Sequence, residues 1–418
     1  MSTYTNPIST AVRFLRTFRV AVTSSSSSLF RSWRVACVAI ALAPWTCAAA
    51  EPQFSDVFVA GRDPFPSIRI PSVVVTKTGV VLAFAEGRAV AADQAQNKII
   101  LKRSHDDGRT WGAMQIVTED GANSLNNPTA VVEQPGGRVW LMYQRIPGHL
   151  TERSQEIATG YDGTNVYRNF LVWSDDNGAI WSQPRDVTRS TKRPTRATTI
   201  ASGPGIGIQL TRGPHAGRLI FPFNEGPFYQ WNNFAVFSDD CGVTWQCGEN
   251  VPGALLTDAQ GRTRSQLNEV QMVELADGSV RLNSRQFAGA KVRKTAVSHD
   301  GGVTWTPVKD VPELRDPSCM GSIFRTEDKD GNGVLLYSGP DSLKRENGTV
   351  HLSRDEGQSW PVKKVLWPGS FAYSVLTRLP DGTLGCLFET DGTDRVVFAR
   401  FSLAWLADGT GKFAPGRN

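Results

Sequence analysis

Cysteine and histidine are scarce in this chain of 418 residues, which has six cysteines and five histidines. There is no CxxC pair and no histidine cluster, so nothing indicates zinc binding. Cys241 and Cys247 are near enough in sequence for a local disulfide in an oxidising compartment, and free thiols are an equal alternative. The segment Asp328–Gly333 resembles a calcium loop, but its twelfth position is Gly339 instead of glutamate, so we predict a hairpin turn. We predict no metal ion and no other cofactor.

A hydrophobic run long enough for a stable membrane anchor is also lacking near the N-terminus, where the apolar run Val35–Ala43 is too short to span a bilayer. This run follows a stretch with five arginines and no acidic residue, and it precedes the small residues Ala48–Ala50. That organisation is typical of a secretory signal peptide. We predict that residues 1–50 direct export to the periplasm or the medium, with a disordered leader as the alternative, and that residues 51–418 form the mature domain.

An excess of charge is missing once this leader is set aside. The whole chain has 45 basic and 40 acidic residues, but the five leader arginines account for the difference, so residues 51–418 carry no net charge. No basic run or basic–aromatic stripe is present, so we predict no nucleic-acid partner. No linker and no long amphipathic helical pattern indicates an appended module, and we expect a monomer.

What the chain does contain is one octamer, S-x-D-x-G-x-x-W, written five times. The copies begin at Ser104, Ser174, Ser238, Ser298 and Ser353, which lie 70, 64, 60 and 55 residues apart. In a tight turn, the aspartate can accept backbone N–H groups, the glycine suits a positive φ, and the tryptophan can bury its ring between strands. Self-similarity at this spacing indicates one supersecondary unit per repeat.

The octamers resemble the Asp-box of sialidases and other β-propellers, in which the box is structural. Strand-like alternation and turn signals occur between them. The strand-like segments are Ser72–Ala85, Val139–Tyr143, Leu219–Phe223, Val280–Ser284 and Val396–Phe401, and the turn signals are Pro135–Gly137, Asp277–Gly278 and Pro380–Gly382. We predict an all-β fold, a six-bladed β-propeller with roughly 60 residues per blade. Five boxes suffice for six blades because terminal repeats are often atypical.

A second set of residues follows the order of a functional signature. In chain order these are Arg69 in Ile68–Pro71, Glu86 and Arg88, Asp93, Glu269 in Asn268–Gln271, Arg285 in Leu282–Arg285, Arg345 in Arg345–Thr349, Tyr373 in Ser370–Ser374, and Glu389 in Leu387–Glu389. The set resembles the signature of exo-sialidases, and the resemblance extends from residue 54 to residue 406. Ile68 departs from it, since many members have an aromatic residue there.

The resemblance implies a role for each of these residues. It makes Asp93 the acid/base, Tyr373 the nucleophile and Glu269 its partner. The substrate carboxylate would be bound by three arginines, while one acid braces the first of them and further residues line the pocket. These are Arg69, Arg285 and Arg345 for the carboxylate, Glu389 for the brace, and Glu86 and Arg88 for the pocket. Outside this signature, Asn127 in Asn126–Pro128 is a further candidate for substrate contact.

The residue types also make chemical sense together. Three always-charged arginines would be costly without an anion, so they imply an anionic ligand. Sialic acid carries its carboxylate on the anomeric carbon and would repel a carboxylate nucleophile, whereas a tyrosine avoids that clash. Two displacements predict retention of configuration, with sialylated glycoproteins, glycolipids or oligosaccharides as substrates. The alternatives are a trans-sialidase, a hydrolase for a related 2-keto acid sugar, or a non-catalytic sialic-acid-binding propeller, which the presence of Asp93, Tyr373 and Glu269 disfavours.

Overall fold

The structure is a computed structural model that describes residues 50–408. The predicted leader lies outside these residues except for Ala50, and its removal and the domain boundary stay predictions. Within the described range, no helix has the length and apolar character needed to cross a membrane.

The described residues form six sheets, antiparallel apart from one short parallel pairing, that follow one another along the chain as the blades of a propeller. The innermost strands of neighbouring blades contact one another. The N-terminal half has these elements: β1 (Gln53–Val59); blade 1 with β2 (Ser67–Val75), β3 (Val81–Arg88), β4 (Lys98–Ser104) and β5 (Gln115–Thr118); and blade 2 with β6 (Ser124–Val132), β7 (Val139–Ile146), β8 (Arg168–Ser174) and β9 (Arg185–Asp186). The next elements are α1 (Thr188–Thr191) and the short strands β10 (Ile200–Ser202), β11 (Gly205–Ile206) and β12 (Ile208–Gln209). Blade 3 then continues with β13 (Leu219–Glu225), β14 (Asn232–Ser238) and β15 (Gln246–Cys247).

The C-terminal half continues the pattern. A hairpin of β16 (Leu255–Thr257) and β17 (Thr263–Ser265) comes first. Blade 4 has β18 (Leu267–Glu274), β19 (Val280–Gln286), β20 (Val292–Ser298) and β21 (Lys309–Arg315), and blade 5 has β22 (Ser322–Glu327), β23 (Gly333–Pro340), β24 (Glu346–Ser353) and β25 (Val362–Ser370). Blade 6 has β26 (Ser374–Arg378), β27 (Leu384–Thr390) and β28 (Arg395–Phe401), and α2 (Leu403–Ala407) follows it. Single 3-10 turns lie at Gly213–His215 and Asp391–Thr393. The all-β, six-bladed prediction is confirmed.

Blade 6 closes the ring with the two ends of the described chain, because β1 pairs antiparallel with β28 as its outer strand. This pairing explains why six blades contain five boxes. Each box lies in the turn between the third and fourth strands of its blade. In blade 6 those strands are β28 and β1, which no turn connects. No local sequence pattern predicted β1, since its partner strand lies more than 330 residues away.

The five boxes have one geometry. In each, the serine hydroxyl donates to the aspartate Oδ1 at 2.7–2.8 Å and accepts the glycine N–H at 2.7–2.9 Å. The same Oδ1 accepts the N–H of the residue before the tryptophan at 2.8–2.9 Å. The glycine φ angles lie between +77° and +93°, where a side chain is strained. The predicted turn chemistry is therefore confirmed.

The glycine of each box also faces the preceding blade. A Cβ on Gly108 would lie 2.2 Å from the Phe398 ring of blade 6, and one on Gly242 would lie 2.5 Å from Trp140 of blade 2. A side chain at either position would push neighbouring blades apart. The boxes thus connect strands within a blade and let adjacent blades pack closely.

Strands β3, β13, β14 and β27 are buried at every position, because each is covered on both faces by neighbouring blades. This burial extends to acidic residues near the strand ends, Glu86 on β3 and Glu389 on β27, which are both fully buried. Buried carboxylates need hydrogen-bond partners, and these two find them in the site described below.

Two smaller predictions have clear outcomes. Asp328 accepts the N–H groups of Asp330 and Asn332 in the hairpin between β22 and β23, so the predicted turn is confirmed. Cys241 and Cys247 are free thiols in the structure.

Candidate active site

A cavity of about 320 Å³ lies at the end of the blades opposite the boxes. It is lined where the inner strands begin and the second strands end, for example by Arg69 on β2, Glu269 on β18 and Arg285 on β19. Charged and polar side chains from all six blades meet there. Among the described residues, no group of three or more His, Cys, Asp or Glu side chains is arranged to hold a metal ion.

Two inner strands, β2 and β6, each contain a β-bulge with a residue at positive φ where they line this cavity. The pairing register of β2 shifts between Arg69 and Ser72, where Ile70 has φ +61°, and that of β6 shifts between Asn126 and Thr129, where Asn127 has φ +52°. A positive φ costs on the order of 1–3 kcal/mol for a non-glycine residue and is most unusual for a β-branched one.

A buried glutamate of the preceding blade offsets this strain in both cases. The Ile70 N–H donates to Glu389 Oε1 at 2.8 Å, and the Asn127 N–H donates to Glu86 Oε1 at 2.7 Å. In both strands a proline follows the left-handed residue. Each bulge redirects the strand and brings the adjacent side chain into the cavity.

Arg69 is held by the first of these glutamates. Its Nη2 donates to Glu389 Oε2 at 3.0 Å, and the same carboxylate accepts the Tyr373 N–H at 3.3 Å. Burial, the largest single cause, would lower the pKa of Arg69, but the charges of Glu389, Tyr373 and Asp93, together with the hydrogen bond to Glu389, outweigh it and raise that pKa. The guanidinium is therefore a fixed cation at the cavity floor.

Arg285 and Glu269 form the next group. Arg285 Nη1 donates to Glu269 Oε2 at 2.6 Å and to the Tyr373 hydroxyl at 2.9 Å, and that hydroxyl donates to Glu269 Oε1. Burial, followed by the charge of Glu269, raises the pKa of Tyr373, so the phenol is protonated. A neutral phenol thus lies in contact with a carboxylate that can take its proton.

Arg345 approaches the same tyrosine from another side. Its Cζ lies 5.2 Å from the centre of the Tyr373 ring, and the Cζ of Arg69 lies 5.1 Å from it. Arg345 Nη2 donates to the backbone carbonyl of Ser318 at 2.9 Å. Three guanidinium groups, counting Arg285, therefore surround one phenol, and an anion bound above it would meet all three.

Asp93 lies at the mouth of the cavity, with 62% of its side chain exposed. Its Oδ1 accepts from Arg88 Nη1 at 3.0 Å and lies 3.8 Å from Arg69 Nη1. Partial burial would raise the pKa of Asp93, but the charges of Arg88 and Arg69 outweigh it and lower that pKa. Arg88 is itself held by Glu86 Oε2, at 2.9 Å to Nε and 2.6 Å to Nη2.

The structure thus brings together all ten residues named from the sequence. Eight line the cavity, and Glu86 and Glu389 lie beneath it in contact with Arg88 and Arg69. The eight are Arg69, Arg88, Asp93, Asn127, Glu269, Arg285, Arg345 and Tyr373. Asn127 uses its side-chain amide within the protein, donating to the Ser202 carbonyl at 3.2 Å. This placement is compatible with the predicted roles, which stay predictions.

Comparison with known proteins places the chain in a family. Residues 79–386 match the family model described as a BNR repeat-like domain. The chain is also 31% identical over 369 residues to sialidase-2 of Rattus norvegicus, covering 80% of this chain and 92% of that protein. The chain belongs to the sialidase family.

Two further matches agree with this membership. A sialidase of Micromonospora viridifaciens is 38% identical over 377 residues, which cover 85% of this chain and 55% of that protein. The chain therefore spans little more than half the length of that relative. The solved structure of the Hadza microbial sialidase Hz136 superposes with a TM-score of 0.74 at 27% identity, covering 85% of this chain and 69% of that one.

For this member of the sialidase family, sequence reasoning missed Glu152, which lines the cavity from the loop between β7 and β8. Burial, followed by the charges of Asp93 and Glu269, raises the pKa of Glu152 to about 7. The loop has no strand periodicity and no repeat, so no sequence signal placed this residue in the pocket.

Two asparagines were also missed. Asn97 Nδ2 and Asn126 Nδ2 both donate to the backbone carbonyl of Asp93, at 2.7 and 2.8 Å, and both also contact Glu86. They hold the loop that carries Asp93. The sequence contains the pair Asn126–Asn127, but the bulge in β6 decides which of the two asparagines contacts the loop that carries Asp93.

Proposed function

We propose that this chain is a retaining exo-α-sialidase that hydrolyses terminal α-linked sialic acids of glycoproteins, glycolipids or oligosaccharides. The observation that carries the proposal is the contact of the Tyr373 hydroxyl with Glu269 inside a ring of three arginines. A carboxylate ligand fits the arginines, and a nucleophile that is neutral until it attacks fits a carbon bearing that carboxylate.

In the first step, the three arginines hold the substrate carboxylate and orient the anomeric carbon above Tyr373. The phenol oxygen bonds to that carbon while its proton passes to Glu269, and the bond to the leaving oxygen breaks as Asp93 protonates that oxygen. Arg285, which contacts both Glu269 and the phenol, stabilises the charge on that pair.

In the second step, Asp93 takes a proton from water, and the water oxygen bonds to the anomeric carbon. The bond to Tyr373 breaks, and the phenol oxygen recovers its proton from Glu269. Each displacement inverts the carbon, so the sugar leaves with retained configuration.

Asp93 must be protonated to act as the acid, yet its pKa is lowered in the free protein. A bound substrate changes both causes. Its carboxylate offsets the charge of Arg69, and its ring shields the exposed side chain of Asp93 from water. Both changes raise the pKa of Asp93 toward the value that a general acid needs.

The proposal is tested by trapping with a fluorinated sialosyl donor, followed by peptide mass spectrometry. We expect one label on Tyr373 in the wild type and none in Tyr373→Phe, together with release of sialic acid from sialyllactose by the wild type alone. Label on another residue would refute Tyr373 as nucleophile. Binding of sialoside without turnover would favour the non-catalytic propeller, and transfer to an added sugar acceptor in preference to water would favour a trans-sialidase.

A further inference from the structure

The three arginines of the site are anchored unequally. Arg69 is paired with Glu389 and Arg285 with Glu269, at 3.0 and 2.6 Å. Within the described residues, Arg345 forms no ion pair with a carboxylate, and its guanidinium donates to the Ser318 carbonyl instead. The position of Arg345 therefore depends on where that carbonyl points.

Ser318 is itself held in an uncommon conformation, with φ +60°. Its hydroxyl accepts from Gln286 Nε2 at 2.7 Å. Gln286 follows Arg285 on β19, so this bond joins the strand that carries one arginine to the loop that holds another. A serine adopts a positive φ only where the surroundings impose it.

Asp316 supplies that constraint with both oxygens of a fully buried carboxylate. Oδ1 accepts the Cys319 N–H at 2.9 Å, and Oδ2 accepts the Gln286 N–H at 2.7 Å. The carboxylate therefore fixes the backbone on both sides, next to Ser318 in the loop and next to Arg285 on β19.

Arg293 on β20 completes the arrangement, and its side chain is also fully buried. Its Nη1 donates to Asp316 Oδ2 at 3.0 Å and to the Cys319 carbonyl at 2.6 Å, while its Nε donates to Asn283 Oδ1 at 2.8 Å. The guanidinium thus supports the loop through a second backbone contact and links it to β19.

We propose that the buried pair Arg293–Asp316 is a positioning pair that sets Arg345 and Arg285 at the spacing needed to bind one carboxylate. This inference rests on the proposed function. Neither residue lines the cavity, and the pair acts through the Ser318 carbonyl and the backbone of Gln286. A buried ion pair is weak support for stability by itself, and the contacts of this pair lie directly behind two substrate-facing groups.

The test uses two ligands that differ in one charge, the 2,3-didehydro analogue of sialic acid and its methyl ester, with both Kd values measured by calorimetry. In Asp316→Asn we expect the Kd of the carboxylate to rise roughly 10- to 100-fold, because small misplacements of binding groups have effects of this size. The Kd of the ester should change little. A purely structural role would reduce the folded fraction without changing the ratio of the two Kd values.

A second variant keeps the test decisive if Asp316→Asn does not fold. Gln286→Met leaves the ion pair intact and removes the bonds from Gln286 Nε2 to the Ser318 hydroxyl and the Asp316 backbone carbonyl, and we expect a rise in the carboxylate Kd on the order of tenfold. The control is Asp63→Asn, which breaks a partly buried pair with Lys102, at 2.7 Å, away from the cavity. It should lower stability and leave both Kd values unchanged.

A wild type that binds the carboxylate analogue, with unchanged Kd values in the folded variants, would refute the positioning pair and leave the proposed function standing. A wild type that does not bind the carboxylate analogue would refute the proposed function and this inference with it.

Discussion

Two carboxyl groups of this protein show how differently the two ends of its blades are built. The repeated end carries the boxes, and the opposite end carries the cavity. Slight burial would raise the pKa of Asp106 in the first box, but four hydrogen bonds from Ser104, Arg109 and Thr110 outweigh it and lower the pKa to about 2. Glu152 in the cavity has a pKa raised to about 7, first by burial and then by Asp93 and Glu269. One acid is satisfied by its own turn, and the other faces acids from other blades.

The same contrast holds for the two ends as a whole. The serine, aspartate and glycine of each box make their shared hydrogen bonds within eight residues, so five copies have one turn geometry. The pocket meets them across the chain, as in the bond between Arg69 and Glu389, which are 320 residues apart. The repeated end provides the scaffold, and the end without repeats holds the candidate active site.

The largest expected effect comes from the acid at the cavity mouth. If Asp93 protonates the leaving oxygen, Asp93→Ala should lower turnover of sialyllactose about 10²- to 10⁴-fold more than turnover of an aryl sialoside, because the aryl group needs little protonation. The measurement is kcat/KM for both substrates. Equal losses on the two would remove Asp93 from the acid role, and Tyr373→Phe is the control in which both substrates should lose activity together.

The next effect concerns Arg345, which is held by a backbone carbonyl, in comparison with Arg69, which is held by a buried carboxylate. Arg345→Ala should weaken transition-state binding by about 2–5 kcal/mol, since it removes a charge-assisted contact to a desolvated carboxylate. Arg345→Lys should recover little, because the planar fork is lost. The measurement is kcat/KM, and near-normal activity of the lysine variant would exclude Arg345 from the carboxylate site.

Arg69→Ala provides the comparison for stability. It should weaken substrate binding similarly, and it should also lower the free energy of unfolding by about 3–5 kcal/mol because it leaves the buried Glu389 unpaired. Urea unfolding of the two alanine variants measures the difference. Equal stabilities would contradict the unequal anchoring.

A smaller effect is expected at the repeated end. Asp106→Ala removes four hydrogen bonds from a turn that is partly open to water, so the free energy of unfolding should fall by about 1–2 kcal/mol. KM should be unchanged, since the turn lies far from the cavity. His105→Ala, at a variable position of the same box, is the control and should change neither quantity. A raised KM in Asp106→Ala would contradict the separation of scaffold and site.

The smallest effect concerns pH. The pKa of Glu152 is raised from 4.5 to about 7, so between these values the folded chain holds a proton that the unfolded chain has released. Stability should therefore fall as pH rises through this window. The lowered pKa of Asp106 has the opposite sign, with a contribution that is complete above pH 4 and lost as pH falls toward 2.

The measurement for Glu152 is the difference in Tm between about pH 5 and pH 8, compared with Glu152→Gln, in which the drop should be smaller. Glu156→Gln changes an exposed glutamate of the same loop and serves as the control. Identical pH profiles for all three proteins would show that Glu152 does not titrate as its surroundings indicate.

The sequence alone determined the repeated half of this protein. The five octamers, with the strand and turn signals between them, predicted an all-β propeller of six blades, because the turn of an Asp-box is held by hydrogen bonds among its own serine, aspartate and backbone groups. The resemblance in the order of Arg69, Asp93, Glu269 and Tyr373 predicted which side chains would meet, although residue order carries no distances.

Tertiary structure alone decided how the pocket is held. The left-handed conformation of Ile70 contradicts the local preference of a β-branched residue, and it exists because Glu389 from another blade binds its N–H. Glu152 acquires its pKa, and Arg345 its support from Ser318, through contacts between segments that are distant in sequence. Such contacts depend on blade packing and ring closure, which place buried charges next to partners that no local pattern identifies.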